Sequence, residues 1–145
     1  MSSFEIRVDA SLKDDKHTDL DVVGVGFQIV NTSNGADECI AEGKFSYHSE
    51  DINSTEAELL GIYRALYRLK RITRDERVVI ATVINDNQVA IEQLQENNPK
   101  YSTAEDILDL CEDAFHTTHW KETNHDEIFW QDRVAKTAAN KLIHQ

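Results

Sequence analysis

Residues 78–84 read VVIATVI, a continuous apolar run that is followed by Asn85-Asp86-Asn87. The run is about as long as one strand. Its lack of alternation predicts a strand covered on both faces, as in a parallel pairing with helices above and below. The preceding segment has a different period. Apolar residues from Leu59 to Leu69 recur at three- and four-residue spacing, which predicts a helix over residues 56–72.

Short strands and helices are predicted on either side of this pair. Residues 4–9 alternate between apolar and polar side chains, and residues 22–30 are rich in β-branched side chains. With residues 39–47 they predict an antiparallel meander of three strands. Downstream, the patterns predict helices over 88–95 and from 102 onward, a strand over 116–123, and a last helix over 129–143. The second of these helices is expected to open with a capping box, Ser102-Thr103-Ala104-Glu105.

The predicted order of elements is β-β-β-α-β-α-α-β-α. This order indicates an α/β fold with a five-stranded mixed sheet, in which three antiparallel strands are followed by two parallel ones and helices cover both faces. The chain has 145 residues, which is enough for one core but not for two, so a single domain over residues 1–145 is expected.

Composition excludes several classes of protein. No apolar run approaches about 18 residues, so no membrane span is expected. Cys39 and Cys111 show no metal-binding spacing and are expected to be free thiols in a soluble, cytoplasmic protein. The net charge of −12 opposes binding to phosphates. However, six basic residues lie within residues 64–77, and they are either the place where an anionic partner binds or an ordinary solvated helix face.

Four acidic residues stand at notable places in the predicted elements. Asp9 ends the first strand, Glu58 lies in the first turn of the first long helix, Asp86 follows the buried strand, and Asp132 lies early in the last helix. Burying carboxylates is costly without a partner, and neighbouring ones repel each other. A divalent cation with oxygen ligands, Mg²⁺ or alternatively Mn²⁺, would resolve that conflict. By spacing alone, a surface scatter among the 27 acidic residues remains the alternative.

The local sequence around these acids resembles ribonuclease H of type 1, over nearly the whole chain and in the same order of elements. Residues 93–113 carry only Lys100 as a cation, so the chain resembles the shorter archaeal-type members that lack a basic protrusion. The matching segments are Asp9-Ala10-Ser11, Gly24-Val25-Gly26-Phe27, Asn53-Ser54-Thr55-Glu56-Ala57-Glu58-Leu59-Leu60, Asp86-Asn87-Gln88, Trp120, and Asp132-Arg133-Val134-Ala135-Lys136-Thr137-Ala138.

The resemblance implies a monomeric, metal-dependent endoribonuclease that hydrolyses the RNA strand of RNA–DNA hybrids with two ions per site. It implies that Asp9 bridges both ions, that Glu58 and Asp86 hold the ion on the leaving-group side, and that Asp132 holds the ion on the water side. The substrate-binding residues it implies are Ala10, Ser11, Asn53, Ser54, Thr55, Asn87 and Gln88.

Several assignments near the last helix stay open at this stage. His125 is the candidate for the mobile catalytic histidine of the family, and a solvated loop histidine is the alternative. Asp126 and Glu127 compete with Asp132 for the role of fourth ligand. Phe129 and Trp130 are expected to pack the last helix against the sheet, and a stacking platform for bases is the alternative. His116 and His119 are expected to be structural residues on opposite sides of the last strand.

Two further functions remain in view. Ala10 replaces the usual Gly of the family, and Asn53-Ser54-Thr55 departs from its Asn-rich loop. These departures favour a catalytically weak or inactive module of the same fold that binds nucleic acid or acts as a scaffold. A related nuclease that acts on branched DNA is the other alternative.

Overall fold

The computed structural model describes residues 1–35 and 37–143, with the side chain of His125 excepted. Five strands and four helices follow one another in the predicted order, and a short 3₁₀ helix over His125–Ile128 precedes the last helix. The elements are β1 (Ser2–Asp14), β2 (Asp21–Asn31), β3 (Glu38–Ser49), α1 (Ser54–Ile72), β4 (Val79–Asn85), α2 (Gln88–Gln95), α3 (Ser102–Ala114), β5 (Thr117–Glu122) and α4 (Phe129–Ile143).

The strands form one mixed sheet in the order β3-β2-β1-β4-β5. The pairs β1–β2 and β2–β3 are antiparallel, whereas β1–β4 and β4–β5 are parallel. The predicted α/β fold class is therefore confirmed. The apolar run of residues 78–84 supplies most of β4, which lies between β1 and β5. Val79, Ala81 and residues 83–85 are buried, whereas Ile80 and Thr82 are half-buried.

Two neighbouring residues of β2 show that α1 and α4 cover opposite faces of the sheet. A Cβ on Gly61 of α1 would contact the side chain of Val25. A Cβ on Gly24 would instead meet the backbone of α4, at the carbonyl oxygen of Ala135 and at 2.7 Å from the nitrogen of Ala139. Because successive strand residues point to opposite faces, α4 lies across the face that Gly24 leaves bare. The missing side chain lets the α4 backbone approach β2 directly.

The larger core lies on the α1 face. Leu59, Ile62, Leu66 and Leu69, all fully buried, pack from α1 onto the sheet, and α3 packs beside α1 through residues such as Ile107. The three- and four-residue spacing in the sequence thus marks the buried stripe of α1, as predicted.

The first strand is longer than predicted. Residues 10–14 continue β1, because pairing with β2 extends to Asp14 opposite Asp21. The expected loop from Lys13 is therefore shorter, and Asp9 does not end the strand. It lies two residues past Arg7, where the pairing with β4 stops. Asp9 consequently stands beside the open end of β4, which is the position that brings it near Asp86.

Two predicted helix starts need correction. Asn53 caps α1 by accepting a hydrogen bond from the Glu56 N–H (2.9 Å), so the helix begins at Ser54 and Glu58 lies beyond its first turn. The expected capping box of α3 is wrong. Tyr101 precedes the helix without a side-chain cap, and Ser102 is already helical.

The packing predicted for two aromatic residues also needs correction. Phe129 and Trp130 are 53% and 38% exposed, because the buried stripe of α4 runs through Gln131, Ala135 and Ala139 instead. Trp130 still lies beside Lys44 of the edge strand β3. His116 precedes β5 rather than lying in it. Both His116 and His119 are exposed, so neither is a core residue.

Both cysteines are free, as predicted, with Cys39 exposed and Cys111 buried. Within residues 1–35 and 37–143, no helix has the length and apolarity needed to cross a membrane.

Candidate metal centre

Three carboxylates from three elements converge beyond the carboxyl end of β4. Asp9 of β1, Glu58 of α1 and Asp86, which directly follows β4, each offer an oxygen within 4.8 Å of the others. Asp9 and Glu58 are buried, and Asp86 is half-buried. We call Asp9, Glu58 and Asp86 the acidic cluster. The sequence analysis predicted all three residues, and the topology explains why they meet at one edge of the sheet.

Glu58 is held rigidly in the acidic cluster. The backbone N–H of Ala10 donates to its Oε1 (2.7 Å), and the Asn85 amide donates to its Oε2 (2.9 Å). The Asn85 Nδ2 also donates to the Val8 carbonyl (2.9 Å). Asn85 is fully buried, and its hydrogen bonds connect β1, β4 and α1. Sequence reasoning missed this role of Asn85, although an uncharged polar residue at the end of an apolar strand is a usable signal.

The surroundings of the acidic cluster disfavour the ionised form of its carboxyl groups. Burial, reinforced by the neighbouring Glu58 and Asp86, raises the pKa of Asp9 to about 10. Burial also raises the pKa of Glu58 to about 7, and its hydrogen bonds to Asp9, Asn85 and Ala10 limit the rise. Without a cation, the acidic cluster therefore keeps protons at neutral pH that isolated carboxyl groups would lose.

Asp132 lies next to the acidic cluster but enters from the opposite face of the sheet. It is buried in the first turn of α4, within hydrogen-bonding reach of Asp9. Its Oδ2 also pairs with Lys136 one turn later (3.1 Å). The competing residues Asp126 and Glu127 are exposed in the 3₁₀ helix, and Glu127 pairs with Lys121 (3.9 Å).

The donor set suits a hard divalent cation. All four side chains present oxygen atoms, and Mg²⁺ and Mn²⁺ are bound by carboxylates and water in preference to nitrogen or sulfur. The acidic cluster also has the like-charge repulsion that such an ion relieves. The residues present therefore fit the metal that the resemblance implies, with Mg²⁺ and Mn²⁺ equally suited by chemistry.

The predicted substrate-binding residues lie within a few positions of the members of the acidic cluster along the chain, and we call them the polar rim: Ala10, Ser11, Asn53, Ser54, Thr55, Asn87 and Gln88. Ala10 and Ser11 continue β1 past Asp9, and Ser54 and Thr55 form the first turn of α1. Three of the predicted polar side chains are engaged within the protein, and the first of them is at the start of α1. Asn53 caps α1 and donates to the Tyr101 hydroxyl (3.1 Å).

The same holds on the α2 side of the rim. Asn87 caps α2 by accepting from the Ala90 N–H (2.9 Å). Gln88 donates to Glu92 (2.6 Å). Asn53 and Asn87 each satisfy one backbone N–H at the start of their helix, that of Glu56 and that of Ala90.

His125 begins the 3₁₀ helix that leads into α4. Its side chain lies outside the described part of the chain, so its catalytic role stays a prediction.

Solved structures of type 1 ribonuclease H domains share this fold. The N-terminal RNase H domain of a Mycobacterium tuberculosis protein matches with a TM-score of 0.74 at 15% identity, over 97% of this chain and 96% of that one. LC11-RNase H1, isolated from compost and solved in complex with an RNA/DNA hybrid, matches with a TM-score of 0.74 at 13% identity, over 97% and 99%. RNase H1 from the halophilic archaeon Halobacterium salinarum matches with a TM-score of 0.66 at 16% identity, over 96% and 98%.

No protein-family model matches the sequence, and no curated protein matches it. The likeness is thus carried by the structure and not by overall sequence identity. The order of strands, the placement of the helices and the full-length superpositions together show that this chain has the ribonuclease H-like fold of type 1 ribonucleases H, an archaeal member included.

Proposed function

We propose that this protein is a divalent-metal-dependent endoribonuclease that hydrolyses the RNA strand of RNA–DNA hybrids by a two-metal mechanism. The observation that carries the proposal is the acidic cluster, in which Asp9, Glu58 and Asp86 converge within 4.8 Å although they come from distant parts of the chain. A fold alone does not imply an activity. Clustered, partly protonated carboxylates that cost stability are, however, typical of a functional site.

Each carboxylate has a distinct part in the proposed mechanism. Asp9, which neighbours Glu58, Asp86 and Asp132, would contribute to the binding of both ions. Glu58 and Asp86 would hold the ion on the side of the leaving 3′-oxygen, and Asp132 would hold the ion on the side of the attacking water. When bound, such a pair of ions activates the water and stabilises the charge that develops on the leaving oxygen.

The chain's own residues prepare the site for this chemistry. Asn85 and the Ala10 N–H fix both oxygens of Glu58, so this ligand needs no reorganisation when it binds a cation. Burial of Asp9 lowers the local dielectric and strengthens its attraction to a cation. Lys136 orients Asp132 from the next turn of α4.

The polar rim supports a substrate that carries 2′-hydroxyl groups. Ser11 follows Asp9 by two positions on β1, Asn53, Ser54 and Thr55 precede Glu58 at the start of α1, and Asn87 and Gln88 follow Asp86 at the start of α2. Hydroxyl and amide groups can hydrogen-bond to a 2′-hydroxyl, which distinguishes RNA from DNA. We therefore assign the RNA strand of the hybrid to this rim.

A cleavage assay on a labelled RNA–DNA hybrid, with Mg²⁺ or with EDTA, tests the proposal. We expect Mg²⁺-dependent cuts within the RNA strand, and loss of cleavage in Asp9→Asn. Asp109→Asn, an exposed carboxyl on α3, is the matched control and is expected to cut normally. Salt should be varied, because the net charge of −12 slows approach to a polyanion at low ionic strength.

Duplex DNA, duplex RNA and branched DNA are offered to the same preparation. Preferred cleavage of branched DNA would replace the hybrid as substrate. Equal cleavage by the wild type and Asp9→Asn would reject the nuclease, and no cleavage of any substrate together with no binding of Mg²⁺ or Mn²⁺ near millimolar concentration would indicate an inactive module.

A further inference from the structure

A second charged region lies on the outer side of α1, away from the acidic cluster. A groove of about 560 Å³ runs between α1 and the edge strand β3. Its basic residues are Lys44, Arg64, Arg68 and Arg71, and none of its described lining residues is acidic. We call it the arginine groove. The chain as a whole carries a net charge of −12, so this local concentration of positive charge is opposite to the overall charge of the protein.

The three arginines form one stripe because Arg64, Arg68 and Arg71 follow one another at helical spacing. All three are exposed. Within residues 1–35 and 37–143, no carboxylate lies within 4 Å of their guanidinium groups, whereas the neighbouring Lys70 pairs with Asp113 at 3.1 Å. The stripe is thus directed at the groove without neutralisation by the protein itself.

Aromatic rings lie between these cations. Tyr63 and Tyr67 stack on each other with ring centroids 6.4 Å apart, and Tyr67 is 47% exposed. The Arg64 guanidinium lies over the ring of Phe45 at 4.9 Å from its centroid. The groove therefore offers flat apolar faces beside positive charge, instead of positive charge alone.

We propose that the arginine groove binds a single-stranded segment of nucleic acid. A positively charged track with interleaved aromatic rings is the combination that binds phosphates and unpaired bases together. A duplex hides the faces of its bases and is too wide to enter a groove of this size. An acidic peptide would use the arginines but leave the exposed tyrosine ring without a function.

The groove is separate from the acidic cluster. Arg64 and Arg71 follow Glu58 by six and thirteen positions on α1, which at 1.5 Å per residue is about 9 and about 20 Å along the helix. The two sites also lie on different sides of α1, since Glu58 is buried toward the sheet and the arginines face solvent. Binding in the groove therefore does not depend on whether the acidic cluster cleaves a hybrid.

Fluorescence anisotropy with a labelled oligothymidylate of about 12 nucleotides, measured in EDTA so that cleavage plays no part, tests this proposal. We expect the double variant Arg68→Ala/Arg71→Ala to weaken binding about tenfold. The plot of log affinity against log salt should become shallower by about 1.4, because about 0.7 is lost for each phosphate contact. Arg74→Ala/Arg77→Ala removes the same charge from positions that do not line the groove, and is expected to change affinity much less.

Variants of Tyr67 test whether the groove binds nucleic acid in preference to other anions. Tyr67→Ala is expected to weaken binding at least about fivefold, as for a lost base stack, and Tyr67→Phe to restore it. Polyglutamate should compete poorly. If polyglutamate competes as well as the oligonucleotide and Tyr67→Ala binds normally, the groove recognises acidic peptides and the proposal fails. It also fails if the groove double variant and its control bind equally well.

Discussion

The acidic cluster and the arginine groove are both formed by residues of α1, yet their charges are handled in opposite ways. Glu58 is directed into the protein, where Asp9 and Asp86 converge on it from other elements. Arg64, Arg68 and Arg71 spread along the outer side of the same helix and remain in solvent.

This contrast shows that a cluster of like charges is stronger evidence for a ligand when it is buried than when it is exposed. Exposed like charges are screened by water and salt, so their clustering costs little and a ligand is not required. Buried like charges repel each other in a poor dielectric, and the raised pKa of Asp9 is the sign of that conflict. A cation is therefore a direct solution for the acidic cluster. The arginine groove needs its aromatic rings as an additional reason to expect a partner.

The largest effect is expected from the fourth carboxylate. Asp132→Asn should lower hybrid cleavage at least about a thousandfold, equivalent to about 4 kcal/mol of lost transition-state stabilisation, because under the proposed mechanism it would remove the ligand on the water side. Single-turnover cleavage in saturating Mg²⁺ measures the loss. Asp126→Asn is the matched comparison, since Asp126 is exposed in the preceding 3₁₀ helix and should cut normally. If Asp126→Asn lost cleavage and Asp132→Asn cut normally, Asp126 would be the fourth ligand instead.

An intermediate effect is expected from the contact between β2 and α4. Gly24→Ala should lower the free energy of unfolding by at least about 2 kcal/mol, because the added methyl group meets the α4 backbone at Ala135 and Ala139. It should also lower cleavage, since α4 carries Asp132. Binding in the arginine groove should survive in the folded fraction, because the groove lies on the other face of the sheet.

Gly61→Ala is the control for this substitution. Its nearest contact would be a methyl group of Val25 at 3.1 Å, and helix propensity favours Ala by about 1 kcal/mol. Urea unfolding of both variants measures the difference. Equal stability of the two would show that α4 does not require the bare face of β2.

A further effect is expected in the pH dependence of stability without metal. The folded-state pKa values of Asp9 and Glu58 lie above their ordinary values, at about 10 and about 7. Their contribution to stability is therefore fully present below about pH 4 and is lost progressively as the pH rises through 7 toward 10. In EDTA, the melting temperature of the wild type should fall over this range more steeply than that of Asp9→Asn.

Addition of Mg²⁺ should reduce this loss, because the cation favours the ionised carboxylates. The melting temperature of the wild type should rise with Mg²⁺ most at alkaline pH, and that of Asp9→Asn should rise less. If the melting temperatures of the two proteins changed with pH in parallel, with and without Mg²⁺, the carboxylates of the acidic cluster would neither repel one another nor bind the ion.

The sequence by itself determined the order of elements, because apolar periodicity reports which face of each segment leaves water. It also offered the three members of the acidic cluster as candidates by their places in the predicted elements, but spacing alone left a surface scatter open, and the resemblance to type 1 ribonuclease H selected them. It did not determine the end of β1, because residues 10–14 are held by pairing with β2 and not by their own pattern. Nor did it show that Phe129 and Trp130 are exposed, since two aromatic residues at the start of a helix suggest a buried face, whereas the polar Gln131 and Asp132 are the residues buried there.

Only the tertiary structure decided which side chains meet. Asn85 joins Glu58 to β1 across 27 and 77 positions of chain, and no local pattern encodes such contacts. Likewise, only the tertiary structure shows that the basic residues of the stretch 64–77 lie in different surroundings. Arg64, Arg68 and Arg71 face a groove beside Phe45 of β3, while Lys70 turns to Asp113. Periodicity is a property of one segment, whereas a binding site is made by several segments that the fold brings together.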